Sequence, residues 1–379
     1  MKEIGLYIHI PFCKQKCFYC DFCSFSNREK EISSYMNALT QEIKSWEEKL
    51  KSYKIKSIFV GGGTPSIVPI EEMDKILEVI HSKFHMSESL EFSIESNPGT
   101  INKENLTYYL SNNINRLSMG LQAWQDTHLK NLGRIHTREE FLKNFLLARE
   151  IGFENINIDL MFGLPNQKMK EWEETLDHIT DLNPEHISAY SLKIEENTHF
   201  YKLYEKGQLN LPTEALDRNM YHFTMDYLFD HGYEHYEISN FAKKEKGCIH
   251  NKVYWNNEEY IGFGLGAHSY FNKKRFSNTM DMKVYLNNIS KKISPCVFEE
   301  NISREDEIAE TMFLGLRMMK GIHIESFKAR FGFTPFKIYK EEISNFEKLG
   351  LLYTDEEHIR LTRKGIDLSN QVFIAFLPN

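Results

Sequence analysis

Cys13, Cys17 and Cys20 stand in the order Cys-x-x-x-Cys-x-x-Cys, with Cys23 three residues further on. Three thiolates this close on one loop suit an iron–sulfur cluster, and a cubane with three protein ligands leaves one iron open. An open metal position marks a reactive centre rather than a structural one. Two other chemistries fit the same residues: a structural zinc site completed by Cys23 or His9, and a redox Cys-x-x-Cys pair. A zinc ribbon normally draws on two separated pairs, which counts against the former. Further along, Gly61-Gly62-Gly63 lets backbone approach a ligand closely. Glu95 and Asp159 are carboxylates suited to ribose hydroxyls or a cationic ligand. The plainer alternatives are a tight strand–helix turn for the glycines and a solvated or capping role for either acid.

Such residues need elements that bring them together. Residues 6–10, 55–60, 90–94, 116–119, 156–161 and 186–192 read as strands. Residues 29–50, 71–84, 103–110, 139–151 and 171–179 read as helices, with Gly152 stopping the fourth. This alternation implies an α/β fold with a parallel sheet and right-handed crossovers. The Cys cluster, the Gly triplet, Glu95, Gln122, Asp159 and Tyr190 all fall at or just after the C-terminal ends of strands. That rim carries the active site in β/α barrels, so a full or partial barrel is expected rather than a doubly wound sheet.

Beyond residue 192 the pattern loosens. Thr213 is placed to cap a helix that runs to Gly232, and glycine and aromatic residues are dense over 254–271. The barrel and its extension are assigned to 1–271, and the polar stretch 272–301 to a linker. Residues 302–379 read as a separate α+β unit resembling a winged helix, with helices over 304–319, 324–330 and 335–349 and a wing of strands over 351–353 and 359–361. Acidic side chains outnumber basic ones from Glu300 onward, so DNA binding by that unit is not expected.

The chain has 379 residues, 41% hydrophobic and 26% charged, which is globular composition and excludes a mostly disordered chain. A formal net charge of -8 disfavours non-specific nucleic-acid binding. No apolar run approaches the ~18 residues of a spanning helix, and the N-terminus does not read as a secretory signal. A cytoplasmic location follows as the expectation. Four of the six cysteines lie within residues 13–23, which points to metal binding rather than a disulfide framework.

Several motifs together resemble one family. They are Tyr7-Ile8-His9-Ile10-Pro11-Phe12-Cys13 with the Cys-x-x-x-Cys-x-x-Cys loop, Gly61-Gly62-Gly63-Thr64-Pro65-Ser66, 116–122 (RLSMGLQ), 157–165 (NIDLMFGLP) and the winged-helix-like tail. The chain thereby resembles, over essentially its whole length, the oxygen-independent coproporphyrinogen III oxidase group of radical S-adenosylmethionine (SAM) proteins. The resemblance implies a [4Fe-4S] cluster on Cys13, Cys17 and Cys20, with SAM chelated to the open iron and cleaved by one electron to a 5′-deoxyadenosyl radical. It carries Tyr7, Tyr19, Gly62, Gly63, Thr64, Glu95, Gln122, Arg134 and Asp159 over as SAM contacts. A side chain at Gly63 is expected to obstruct SAM while leaving the cluster in place.

That group contains oxidases and a branch of heme chaperones, the HemW proteins. Three features resemble the chaperone branch. Only 12 residues precede Cys13, where the oxidase has a longer segment. The oxidase has a fourth cysteine two residues after the third, where this chain has Phe22. His250-Asn251-Lys252-Val253-Tyr254-Trp255 matches the HNxxYW motif of that branch, and is followed by 260–269 (YIGFGLGAHS). The resemblance implies heme as a third cofactor, with His250 as axial ligand and Asn251, Tyr254 and Trp255 around it. Imidazole is a common heme ligand, and aromatic rings can cover a porphyrin face. A hydrogen-bonded structural His250 is the alternative, and Cys248 is a rival thiolate; Cys23 and Cys296 are expected to have no ligand role. The implied function is delivery of heme to acceptor hemoproteins such as respiratory enzymes, without nucleic acid. The other activity of the group, oxidative decarboxylation of coproporphyrinogen III, is the alternative, so no catalytic residue is assigned and enzymatic turnover stays open. A carrier with exposed aromatic surface is suited to form a homodimer. Peripheral membrane contact fits respiratory acceptors, although no amphipathic basic helix announces it.

Overall fold

The computed structural model describes residues 1–378; Asn379, the last residue assigned above to the C-terminal unit, lies outside them. Twelve strands form one sheet: β1 (Lys2–Ile10), β2 (Tyr53–Gly62), β3 (His85–Ser96), β4 (Arg116–Gln122), β5 (Ile156–Phe162), β6 (His186–Ser191), β7 (Glu234–Glu237), β8 (Asn240–Ala242), β9 (Tyr260–Phe263), β10 (His268–Phe271), β11 (Lys274–Asn278) and β12 (Cys296–Asn301). Their order is β12-β11-β10-β9-β1-β2-β3-β4-β5-β6-β8-β7.

The strands β9 and β1 to β6 run parallel, and antiparallel strands extend both edges. β1 is central, and Ile4, Leu6, Ile8 and Ile10 in it are buried, as expected for a strand covered on both faces. Helices connect β2 to β3, β3 to β4, β4 to β5 and β5 to β6, which is the expected βα alternation. Among the described residues β7 and β12 do not pair, so the sheet stays open and the barrel is partial.

The strands are longer than their apolar runs predict. β3 continues to Ser96 and β4 to Gln122, because their last residues are polar and face a cavity instead of a hydrophobic core. The helix expected over 29–50 ends at Lys44, and a short helix, Glu47–Leu50, follows. Between them Trp46 turns away to stack on Phe276 of β11, ring centroids 5.9 Å apart.

The expected linker at 272–301 is instead folded structure. It holds β11, a helix Met282–Ser290 and β12. Met282, Tyr285 and Ile289 are buried against the main core, while the edge strand β12 is almost wholly exposed. The region therefore belongs to the sheet, not to a tether.

The C-terminal unit has its own core, built from Ile308, Met312, Phe327, Ile343, Leu352, Ile359 and their neighbours. Helices Arg304–Gly315, Ile324–Phe331 and Lys340–Lys348 and strands Leu352–Thr354 and His358–Leu361 make the expected winged-helix-like arrangement, with Ile322–His323 as a third short strand. The unit docks by Arg363 on Asp226 and by Arg218 and His222 on Asp367. It also reaches the HNxxYW helix, where Arg330 donates to the carbonyls of Asn256 and Asn257.

Candidate functional site

After β1 the chain forms a short parallel bridge, Phe12–Cys13 with Phe25–Ser26, so residues 14–24 make a loop clamped at both ends. The glycine triplet holds that loop. Gly63 donates its amide to the Ile10 carbonyl at 2.8 Å, and Thr64 to that of Phe12 at 2.7 Å. A Cβ on Gly63 would lie 2.6 Å from the Phe12 carbonyl oxygen and 3.0 Å from Cys13 Sγ. At Gly62, with φ of +110°, a Cβ would meet the His9 ring at 2.4 Å. Glycine is thus required here because backbone packs on backbone and ring. For the same reason a side chain at Gly63 disturbs the cysteine loop first, contrary to the expectation that it would spare it.

Cys13, Cys17 and Cys20 line one cavity of about 340 Å³, together with Tyr19, Gly62, Gly63, Glu95, Gln122, Arg134 and Asp159. Residues from β2 through β6 reach this one space, so the C-terminal ends of successive strands surround it. Thr64 is buried behind Cys13, with Oγ1 donating to Sγ at 3.6 Å. Arg134 donates to Cys17 Sγ at 3.5 Å and to Asn97 Oδ1 at 2.6 Å. Burial pushes the Cys13 thiol up and that of Cys20 to about 11. Ligation to a metal overcomes such a preference, because a coordinating thiol is deprotonated outright. Among the described residues, no group of three or more His, Cys, Asp or Glu side chains converges to hold a single ion. A cubane asks for a different arrangement, with each thiolate on its own iron. His9 is not a free ligand: Nδ1 bonds the Tyr7 hydroxyl at 2.9 Å and Nε2 the Cys23 carbonyl at 2.8 Å.

Arg116 offsets the two acids of the cavity only in part. Glu95 Oε2 accepts the amide of Gly62 at 3.0 Å. Burial and then the neighbouring Asp159 push its carboxyl up to about 7. Asp159 is also raised by burial, against hydrogen bonds from Asn157 at 2.7 Å and Ser118 at 3.2 Å. Two buried carboxylates beside three thiols favour a ligand that brings positive charge. Gln122 holds a left-handed backbone, φ 75°, at a bulge in β4, and its Oε1 accepts from Tyr190 at 2.9 Å. Non-glycine residues hold such conformations where the surroundings enforce them, often at functional sites.

A second cavity of about 690 Å³ adjoins the first and shares Phe22, Gly62 and Glu95 with it. Tyr7, Tyr254 and Trp255 line this second space, so of the expected SAM contacts Tyr7 and the buried Thr64 lie outside the lining of the first cavity. The expected heme residues are divided. Asn251 faces the first cavity, Tyr254 and Trp255 the second, and His250 lines neither. His250 is buried, its ring stacked near Phe59, with Nδ1 bonded to Ser57 Oγ at 2.9 Å and Nε2 to the Tyr254 hydroxyl at 2.7 Å. Burial and then Arg116 push its pKa down to about 3, so the ring is neutral. A neutral imidazole offers iron one lone pair, and here either nitrogen is already engaged. Both ring nitrogens of His250 are thus hydrogen-bonded in this structure. Cys248 is fully buried and donates to Glu91 at 3.3 Å. Glu91 also accepts the amides of Ile249 at 2.9 Å and His250 at 3.0 Å, fastening the helix Ile249–Trp255 to β3. Cys296 lies on edge strand β12.

The sequence reading missed Asn97, which bridges Arg134 to Thr64, and Arg116, a fully buried guanidinium at the floor of the first cavity. The position of Arg116 inside a wholly buried strand was a signal for it. Asn97 carries no such signal.

A parallel sheet whose strand ends surround a three-cysteine loop defines a radical SAM protein. Residues 7–179 match the family model for the radical SAM superfamily, and residues 302–368 that for the HemN C-terminal domain. The superfamily takes a [4Fe-4S] cluster and SAM. The chain is 39% identical to the heme chaperone HemW of Bacillus subtilis (strain 168) over 372 residues, 98% of each chain. It is 36% identical to HemW of Lactococcus lactis subsp. lactis (strain IL1403), covering 99% of this chain and 98% of that one. The chain belongs to the HemW family. Its fold matches the solved structure of coproporphyrinogen III oxidase (HemN) from Escherichia coli with a TM-score of 0.86 at 22% identity, covering 99% of this chain and 90% of that one.

Proposed function

We propose that the protein is a heme chaperone of the cytoplasm: it binds heme beside a [4Fe-4S] cluster with SAM and hands the heme to acceptor hemoproteins. Cys13, Cys17 and Cys20 hold the cluster in this reading. Its open iron supplies a coordination site for the amino and carboxylate groups of SAM. Glu95 and Asp159 offer carboxylates to the cationic and hydroxyl groups of that ligand, and Gln122 and Arg134 fix the walls around it. The donor set supports this assignment, since three thiols and two buried acids share one cavity.

The observation that carries the chaperone reading is the second cavity. It is aromatic, it is within the size range of small-molecule sites, and it adjoins the first across Phe22, Gly62 and Glu95. A carrier needs a ligand and an apolar face, not a reaction. Names of the relatives point the same way. No helix among the described residues is long and apolar enough to cross a membrane.

The test begins with anaerobically purified, reconstituted protein. About four irons per chain are expected, and titration with ferric heme should produce a saturable Soret change without SAM cleavage. Zinc in place of iron would remove the cluster assignment. Decarboxylation of coproporphyrinogen III by reduced protein with SAM, in the absence of heme binding, would replace the chaperone by the oxidase.

A further inference from the structure

We infer that His268, not His250, is the axial ligand for heme, and that heme lies in the second cavity between β9–β10 and the helix Arg304–Gly315. This rests on the heme-binding reading above and assigns its site.

The argument is one of available lone pairs. Among the side chains lining the cavity, His9 has both nitrogens bonded. The Tyr254 hydroxyl is committed to His250. The Cys23 thiol is directed at the Met280 carbonyl, 3.9 Å away. His268 is exposed at the first position of β10, and its ring has no hydrogen-bond partner among the described residues. A free imidazole at the wall of an aromatic cavity is a ligand that porphyrin iron takes, and the Met280 thioether in the same wall is the competing donor.

The backbone around His268 is built to hold it there. A Cβ on Gly262 would lie 2.2 Å from the His268 carbonyl oxygen, so only glycine lets β9 and β10 approach so closely. Gly266, with φ of +63°, turns the chain so that Met280 and Cys23 form the adjoining wall. Trp255, Phe313 and Leu314 supply apolar surface for the macrocycle, with Tyr254 and Phe22. Of the acids in the wall, Glu310 pairs with Arg275 at 2.8 Å and Glu258 with Lys56, while Asp21 and Glu95 have no ion pair among the described residues. No guanidinium or ammonium is left over, so the propionates belong at the open mouth, in water. The YIGFGLGAHS segment, which neither the cluster nor SAM uses, thus acquires a role.

The test titrates ferric heme into cluster-loaded wild-type protein and the variants His268→Ala, His250→Gln and Gly262→Ala, read by Soret position and electron paramagnetic resonance. His268 is exposed, so its variant should keep wild-type circular dichroism and cluster content. In wild type an imidazole-ligated spectrum is expected. In His268→Ala the affinity should fall at least tenfold and the imidazole signature disappear, with partial loss in Gly262→Ala. His250→Gln should keep the signature. If wild type binds heme and His268→Ala leaves spectrum and affinity unchanged, the ligand assignment fails while the heme reading stands. If wild type binds no heme, both fail.

Discussion

The Tyr254 hydroxyl lies 2.7 Å from Nε2 of His250, which ties the first residue of the HNxxYW motif to its tyrosine. With Ser57 on the other ring nitrogen and Glu91 on the backbone amide, His250 anchors its helix to β2 and β3. The motif therefore presents Tyr254 and Trp255 to the second cavity from a fixed base.

His250→Ala should accordingly cost stability. It leaves Ser57 and Tyr254 without buried partners, a loss of about 1 to 3 kcal/mol for such groups. A lower urea midpoint with heme affinity within about twofold of wild type is expected. Unchanged stability with abolished heme binding would reverse this assignment.

Replacing Cys13, Cys17 or Cys20 singly by Ala should abolish the cluster absorbance after reconstitution, because two protein ligands do not retain a cubane. Cys23→Ala should keep it. Its thiol faces the second cavity and approaches the Met280 carbonyl. Loss of the cluster in Cys23→Ala would make Cys23 a ligand.

Gly63→Ala should lower iron content as well as SAM affinity. The added methyl would press on the Phe12 carbonyl at 2.6 Å and on Cys13 Sγ at 3.0 Å, forcing the loop to move. Iron per chain, measured after identical reconstitution, checks this; wild-type iron with weakened SAM binding would show that the glycine serves the ligand alone.

Binding of SAM should weaken as pH falls through about 7. Burial and Asp159 raise Glu95 to that value, so acid neutralises the carboxylate that a cationic ligand needs. One unit below, affinity should be roughly tenfold lower, and above it constant. The sign for folding is opposite: a raised carboxyl is easiest to bury protonated, so the apo protein loses stability as pH rises from the usual carboxylate range to about 7. Equilibrium dialysis of SAM on cluster-loaded protein across that range is the measurement. Glu95→Gln should give a flat profile, and a wild-type slope in that variant would assign the titration elsewhere.

The βα alternation, the cysteine spacing and the C-terminal winged-helix-like unit were legible in the sequence, because each rests on local pattern: apolar periodicity, a short loop, a cap. So was the collection of Glu95, Gln122 and Asp159 at strand ends, since parallel strands share one C-terminal edge. Other features were decided only by packing. Residues 272–301 look polar because edge strands bury little, yet their pairing with β10 makes them part of the sheet. The role of His250 depends on Ser57, which is distant in sequence and meets it only across β2. The freedom of His268 is likewise a tertiary fact. Spacing can nominate an imidazole, but whether its lone pair is free depends on which hydroxyls the fold brings against the ring.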